Sequence, residues 1–162
     1  MSLTDEPLAN NARYAETFSG PPPLPLPPAK QLAVVACIDA RLNVYDILGL
    51  QVGEAHVIRN AAGVVTADEI RSLAISQRLP GAEEIILIHH TDCGMLTLTD
   101  DAFKDTVQKD TGIRLPWAAE AFDDTDVRQS IARIKADPLV RHKDGIRGFV
   151  FDVATGRLAE AL

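Results

Sequence analysis

The sequence predicts an α/β protein in which a mostly parallel β-sheet is flanked by helices, with an N-terminal helical arm and a C-terminal strand or hairpin. Three observations support this fold class. From residue 31 onward, short continuous apolar runs alternate with stretches of helical periodicity. A proline-rich segment separates this region from an N-terminal stretch of moderate helical character. The length of 162 residues suits one domain of this kind. We therefore expect an arm at residues 1–29 and one α/β domain at residues 30–162.

The predicted arm combines a helix with a stiff connection. Residues 5–18 form the helical stretch, and residues 20–28 are rich in proline, which favours an extended conformation without internal hydrogen bonds. We interpret the proline-rich segment as a linker rather than as a recognition motif for a partner domain. The helix has few apolar partners in its own segment, so we expect it to pack on a partner subunit. Its apolar positions are Leu8, Ala12, Tyr14, Ala15 and Phe18.

The region after the linker is predicted to contain four strands and three helices. The strands are expected at residues 32–37, 56–60, 85–90 and 148–153, and the helices at residues 43–48, 66–79 and 124–136. In the helix at 66–79, Thr66 can form a capping box with Glu69, and Pro80-Gly81 ends the helical pattern. Strands that alternate with helices favour a parallel sheet. The tail at residues 152–158 suggests a closing hairpin.

Charge and hydropathy exclude several classes of partner. The net charge of −7 argues against a nucleic acid or an anionic membrane, because both require a basic face. No apolar run approaches the roughly 20 residues that span a bilayer. The first residues have neither the basic region nor the apolar region of a signal peptide. We therefore expect a cytoplasmic protein that binds neither nucleic acid nor membrane.

The two cysteines of the chain point to a metal site. A structural disulfide between Cys37 and Cys93 would be unusual in a reducing compartment, which leaves buried thiols, a reactive thiol or metal ligands. Cys37 ends the first predicted strand, and His90 and Cys93 follow the third. If these strands are neighbours, the three side chains converge. Two thiolates and an imidazole suit zinc, and three protein ligands leave a fourth position open, as in catalytic sites.

The adjacent histidines have different expected roles. On a strand, His89 and His90 point to opposite faces, so they do not easily bind one ion together. The spacing of three residues to Cys93 selects His90. We interpret His89 as a packed or hydrogen-bonded histidine on the other face of the sheet.

Asp39 and Arg41 extend the predicted site. Alternate residues of an extended segment share a face, so both side chains can point the same way as Cys37. A neighbouring arginine would depress the pKa of Asp39 and keep it ionised as a hydrogen-bond acceptor beside the metal. The alternative is a surface salt bridge, which would contribute little. The proximity to Cys37 favours the functional interpretation.

These residues fall into three motifs that resemble the β-class carbonic anhydrases, in particular a compact bacterial subgroup. The motifs are Cys-x-Asp-x-Arg at residues 37–41, Arg-Asn-Ala at residues 59–61 and His-x-x-Cys-Gly at residues 90–94. The resemblance covers roughly residues 30–100, with the motifs in the same order as in the family. It implies one Zn²⁺ per chain and reversible hydration of CO2 to bicarbonate and a proton by zinc-bound hydroxide. It also implies a homodimer or homotetramer.

The resemblance assigns roles to individual residues. Cys37, His90 and Cys93 match the zinc ligands of the family, and Asp39 and Arg41 match its catalytic dyad. In some members the aspartate instead binds the metal and closes the site. Asp39 is therefore expected to be either a hydrogen-bond partner in the reaction or a gate.

The expected substrate pocket departs from the family pattern. Where members often have a glutamine, an aromatic residue and a tyrosine, this chain has Pro28, His56 and Ile75. We expect His56, Ile75 and Gly94 to line the pocket, with altered substrate contacts. A structural role for His56 is favoured over a role as proton carrier, although an imidazole titrates near neutral pH.

Three other functions remain open at this point. Carbonyl sulfide and carbon disulfide are linear isosteres of CO2, so a hydrolase of either could use the same site. A non-catalytic zinc-binding regulatory protein would not need Asp39 and Arg41. A redox protein that uses the two thiols would leave His90 unexplained.

Overall fold

The computed structural model describes residues 2–18, 25–79, 81–117 and 126–161. Most of the predicted proline-rich linker, Pro80 and the first two residues of the helix predicted from 124 lie outside the described residues. The helices are α1 Asp5–Thr17, α2 Val44–Leu48, α3 Ala67–Arg78, α4 Asp100–Thr111 and α5 Asp126–Ala136, with a 3-10 helix at Gly94–Thr97. The strands are β1 Leu32–Cys37, β2 Ala55–Asn60, β3 Glu84–His90, β4 Ile146–Phe151 and β5 Leu158–Glu160.

The five strands form one sheet in the order β2-β1-β3-β4-β5. β2, β1, β3 and β4 run parallel to one another, and β5 is antiparallel to β4. The predicted fold class is therefore confirmed. Since β1 and β3 are adjacent and parallel, their carboxyl ends meet at the same edge, where ligands bind in open α/β sheets.

β1 is buried on both faces because each face packs against different elements. Its residues 33–37 are at most 3% exposed. Val35 belongs to a core that includes side chains of α3 and α5, whereas Val34 and Ala36 belong to a core around α2. The first core includes Ile70, Leu73, Val127 and Ile134, and the second includes Leu42, Val44, Ile88 and Phe151. A strand covered on both faces is apolar throughout, which explains why its limits could be predicted from the sequence.

α3 begins with the capping box that the sequence predicts. The hydroxyl of Thr66 accepts from the backbone N–H of Asp68, and the carboxylate of Glu69 accepts from the backbone N–H of Thr66 at 2.9 Å. This reciprocal pair satisfies two helix N-terminal donors that lack intrahelical partners. It fixes the path by which the chain leaves β2 and crosses the sheet.

Two elements differ from the sequence prediction by more than one residue. β4 begins at Ile146 rather than at residue 148, and it ends at Phe151 rather than at residue 153. Its end precedes a turn in which the Asp152 carboxylate accepts from the backbone N–H groups of Ala154 and Thr155. α4 was not predicted from the sequence at all. None of its residues is buried, so it contributes nothing to the two cores described above.

α1 confirms the predicted N-terminal helix and exposes its apolar side chains. None of its residues is buried. Leu8 and Tyr14 are 69% and 55% exposed, and Phe18, which directly follows the helix, is 58% exposed. The ring centroids of Tyr14 and Phe18 lie 5.5 Å apart. No helix within the described ranges is long and apolar enough to cross a membrane.

Candidate metal centre and active site

Three side chains with metal-binding atoms meet where β1 and β3 end. Cys37 is the last residue of β1, His90 is the last residue of β3, and Cys93 follows after a two-residue turn. The two sulfur atoms are 4.0 Å apart, and the ligand atoms of all three residues lie within 4.8 Å of one another. The structure thus brings together the three residues that the sequence singles out as zinc ligands.

His90 presents a lone pair to this cluster. Its Nδ1 lies 2.9 Å from the carbonyl oxygen of Thr91. A carbonyl oxygen only accepts, so Nδ1 donates, and in the neutral imidazole Nε2 is then the unprotonated nitrogen. This Nε2 is buried and has no hydrogen-bond partner among the described residues. A buried acceptor without a partner is costly, and a metal ion would satisfy it.

The donor set fits zinc. Two sulfurs and one imidazole nitrogen are ligands that this ion prefers, and three protein ligands match an open, catalytic site. Partial burial raises the pKa of the free Cys93 thiol, and the neighbouring Cys37 raises it further. A bound cation would counter both effects by stabilising the thiolate form.

Asp39 lies beside the cluster and is held by Arg41. Nε and Nη2 of Arg41 donate to the two carboxylate oxygens of Asp39 at 2.9 and 2.7 Å, and the backbone N–H of Arg41 donates to Oδ1 at 2.9 Å. These bonds from the Arg41 side chain and backbone hold the pKa of Asp39 well below its usual range. Oδ2 of Asp39 is 3.8 Å from Nε2 of His90. An ionised acceptor therefore faces the position where the three ligand atoms converge.

Arg59 fixes the backbone that carries Cys37 and Asp39. From the end of β2, its Nε donates to the carbonyl oxygen of Cys37 at 2.9 Å, and its Nη2 donates to that of Asp39 at 2.6 Å. The N–H of Ile38 donates to the carbonyl oxygen of Asn60 at 2.8 Å. The chain after β1 is thus held against β2 by both side-chain and backbone hydrogen bonds.

Gly63 allows a close approach of the following loop to this backbone. Its φ is +76°, which favours glycine, and a Cβ there would lie 2.8 Å from the backbone nitrogen of Cys37. The carbonyl oxygen of Gly63 lies 3.1 Å from Nε2 of His89, which donates to it. Burial lowers the pKa of His89 and favours its neutral form. The second histidine therefore supports the loop behind the site rather than the cluster.

Comparison with known proteins agrees with this geometry. The family model described as carbonic anhydrase matches residues 32–116. The protein named beta-carbonic anhydrase 1 from Mycobacterium tuberculosis (strain H37Rv) is 62% identical over 162 residues, which cover 99% of this chain and 98% of the relative. The chain belongs to the β-carbonic anhydrase family.

More distant relatives of this family member include proteins that are named carbon disulfide hydrolase. A carbon disulfide hydrolase from Acidithiobacillus thiooxidans is 34% identical over 157 residues, covering 82% of this chain and 78% of the relative. Among solved structures, a carbonic anhydrase from Streptococcus mutans has a TM-score of 0.93 at 40% identity and covers 100% of this chain and 99% of that one. The β-carbonic anhydrases are zinc enzymes, in agreement with the donor set described above.

The three pocket residues predicted for this family member do not lie together. His56 and Ile75 line a cleft of about 290 Å³ with Ile58, Ser72 and Ser76, and Nδ1 of His56 is 2.7 Å from the hydroxyl of Ser76. His56 precedes Asn60, the partner of Cys37 in the sheet, by four residues, or roughly 13 Å of strand. Within one chain the cleft is therefore remote from the cluster. Gly94, in contrast, directly follows Cys93.

Two residues, Asp92 and Arg59, make contacts at this site that the sequence does not predict. Asp92 binds Arg41 through its carboxylate at 2.8 Å and its carbonyl oxygen at 2.9 Å, and the hydrogen bonds of Arg59 to Cys37 and Asp39 were not foreseen. The sequence indicates Arg59 only through the Arg-Asn-Ala motif that resembles the family. No local pattern connects residues 51 positions apart, so only the sheet order reveals that Asp92 and Arg41 meet.

Proposed function

We propose that this protein is a zinc-dependent carbonic anhydrase that catalyses the reversible hydration of CO2 to bicarbonate and a proton. The observation that carries the proposal is the position of Asp39, an ionised carboxylate 3.8 Å from the unpaired Nε2 of His90 at the edge of a Cys-His-Cys donor set. The relative that is 62% identical along the whole chain bears the same activity in its name.

Cys37, His90 and Cys93 would hold one zinc ion. When bound, zinc supplies the Lewis-acid chemistry that makes water a nucleophile near neutral pH. The hydrogen bond from Nδ1 of His90 to the carbonyl oxygen of Thr91 fixes the tautomer and the orientation of the ring. The three ligands would leave one coordination position free for chemistry.

Asp39 and Arg41 would act as a pair in the reaction. Asp39 is an acceptor only while it is ionised, and the bonds from Arg41 lower its pKa and keep it so. The carboxylate would accept a hydrogen bond from the reacting water and so orient its lone pair toward CO2. Arg41 would hold the carboxylate in place without contacting the substrate.

The test is a stopped-flow measurement of CO2 hydration from pH 6.5 to 9, with zinc determined on the same sample. We expect one zinc per chain and activity that rises with pH. Zinc present with no CO2 hydration anywhere in this range would contradict the proposal. Absence of zinc after expression in zinc-supplemented medium would contradict the assignment of the metal site.

A second candidate function is hydrolysis of carbon disulfide or carbonyl sulfide at the same site. It is supported by the relative named carbon disulfide hydrolase, at 34% identity. The same zinc-loaded sample should be incubated with carbon disulfide and, separately, with carbonyl sulfide, and hydrogen sulfide release measured. Sulfide release without CO2 hydration would favour this function over the first.

We also propose that the protein is a homodimer or homotetramer in which residues 1–29 form an arm that packs on a partner subunit. The exposure of Leu8 and Tyr14 on α1, and of Phe18 directly after it, supports this proposal, because a helix gains most of its stability from burying an apolar face. Contact with a second copy would also be needed for His56 and Ile75 to take part in the substrate pocket. A cytoplasmic location and the absence of a nucleic-acid partner remain predictions from the sequence.

The assembly can be tested by light scattering after size-exclusion chromatography. Leu8→Asp combined with Tyr14→Asp replaces two exposed apolar side chains of α1 by charges and should reduce the oligomer mass. Ala9→Asp is a control for added charge, since residue 9 lies about 100° from Leu8 and about 140° from Tyr14 around the helix. A monomeric wild-type protein would contradict the proposal, and so would an oligomer that the double variant leaves unchanged.

A further inference from the structure

We propose that Asp92 is a positioning residue that fixes the guanidinium of Arg41 and, through it, the carboxylate of Asp39. This inference rests on the proposed function, because it assigns Asp92 a role in the same reaction. Asp92 lies between two of the metal-site residues, in the turn from His90 to Cys93.

Arg41 uses all three of its guanidinium nitrogens between the two aspartates. Nε and Nη2 donate to the carboxylate of Asp39 at 2.9 and 2.7 Å. Nη1 donates to the carboxylate of Asp92 at 2.8 Å, and Nη2 also donates to the carbonyl oxygen of Asp92 at 2.9 Å. Because the guanidinium is planar and rigid, contacts on one edge determine how the other edge faces Asp39.

The backbone of Asp92 suits this double contact. Its φ is +55°, in the left-handed region that aspartate and asparagine tolerate better than most residues. This conformation lets the turn direct both the side-chain and the main-chain oxygen of one residue toward Arg41. The contact therefore joins the loop after β1, which carries Asp39, to the turn after β3, which carries Cys93.

Without Asp92, Arg41 would be free to leave its present orientation. The Arg41 side chain is 46% exposed, whereas that of Asp39 is only 18% exposed. A long, exposed arginine that loses one of two partners regains rotamer freedom. Its bidentate contact with Asp39 would then be broken for part of the time, and the carboxylate would depart from its position 3.8 Å from Nε2 of His90.

The first experiment compares Asp92→Asn with Asp92→Glu and wild type. Asparagine keeps the shape and the tolerance for positive φ but loses the charge, and glutamate restores the charge. We expect Asp92→Asn to lower kcat roughly fivefold with KM and zinc content unchanged, as suits one exposed ion pair. Asp92→Glu should recover part of kcat. Asp68→Asn, which removes a similarly exposed carboxylate paired with Arg71, is the matched control and should leave kcat unchanged.

The second experiment asks whether Asp92 acts through Arg41. If it does, Asp92→Asn should have no further effect on kcat in an Arg41→Gln background. The visible absorption spectrum of the cobalt-substituted protein supplies a readout besides activity. Asp92→Asn should change this spectrum in the wild-type background but not in an Asp39→Asn background.

The outcomes separate this inference from the proposed function. The inference is overturned if Asp92→Asn has the kcat and the cobalt spectrum of the wild type. It is also overturned if Asp92→Asn lowers kcat as much in the Arg41→Gln background, and changes the spectrum as much in the Asp39→Asn background, as it does in the wild type, because the turn would then have only a structural role. If the wild-type protein fails to hydrate CO2 but its cobalt spectrum depends on Asp92 as described, the proposed function fails and the positioning role stands.

Discussion

Oδ2 of Asp39 and Nε2 of His90 face each other at 3.8 Å, and in the neutral imidazole both atoms are hydrogen-bond acceptors. Neither can donate to the other, so the pair gains nothing from its proximity alone. A cation or a hydrogen-bond donor placed next to both atoms would be stabilised by each. This relationship distinguishes the site from an ordinary surface salt bridge, which was the alternative interpretation of Asp39 and Arg41.

Asp39→Asn should separate metal binding from catalysis. The substitution removes the charged acceptor but leaves Cys37, His90 and Cys93 unchanged. We expect zinc content to stay at the wild-type value and CO2 hydration to fall roughly 10²-fold. Zinc analysis and stopped-flow hydration on one preparation check both parts. Normal hydration by this variant would show that Asp39 is not the acceptor.

Removal of zinc should destabilise the fold, because the ligands come from separate segments and the buried Nε2 of His90 loses its partner. At free zinc about 1,000 times Kd, binding contributes about 4 kcal/mol to the free energy of unfolding. For a domain of this size, chelation should therefore lower Tm by about 10 °C. A Cys37→Ser variant serves as control and should show little response to the chelator. An unchanged Tm after verified zinc loss would contradict this prediction.

Gly63→Ala should disturb the backbone behind Cys37. An added Cβ would lie 2.8 Å from the backbone nitrogen of Cys37 and 3.0 Å from the carbonyl oxygen of Ile88, in addition to the strain at φ +76°. We expect the free energy of unfolding to decrease by about 3 kcal/mol. The measurement is urea denaturation of the zinc-loaded protein.

Gly156→Ala provides the matched control for this steric effect. Its φ of +71° gives a similar backbone strain, but an added Cβ meets nothing within 4 Å. The control should lose only about 1 kcal/mol. Equal losses in the two variants would mean that the contact with Cys37 is relieved at no cost.

Asp152 should make the stability of the β4–β5 turn depend on pH. The N–H groups of Ala154 and Thr155 donate to its carboxylate and lower its pKa. A group with a depressed native pKa stabilises the fold above its unfolded value of about 4 and loses that contribution as pH falls through the native pKa. Wild type should thus be more stable than Asp152→Asn at pH 7, and the difference should shrink as pH falls below about 4. Urea denaturation at several pH values checks this, and a difference that grows toward low pH would contradict it.

Local signals in the sequence were sufficient for most of the fold. β1 was predicted residue for residue, since a strand buried on both faces is uniformly apolar and Gln31 marks its start. The capping box of Thr66 and Glu69 was predicted from their spacing alone. α4 was not predicted, although Thr99 at its start and Gly112 at its end are typical capping residues and could have indicated it.

The metal cluster could be predicted because its residue types and strand positions are informative without coordinates. The residues around it could not. Arg59 contacts backbone carbonyls that any residue would offer, and Asp92 meets Arg41 only because β1 and β3 are neighbours in the sheet. His56 and Ile75, which the resemblance aligns with the substrate pocket, line a separate cleft within one chain, and their place in the pocket stays a prediction that requires a partner subunit.

The origin of the ligands in two separate strands has a consequence for how the protein matures. Cys37 and Cys93 are 56 positions apart, so in the unfolded chain Cys37 is far from the local group that contains His90 and Cys93, and it joins them when β1 and β3 align. We expect tight metal capture to follow sheet assembly rather than to nucleate it. A chain emerging from the ribosome would therefore not sequester the ion before its central strands had paired.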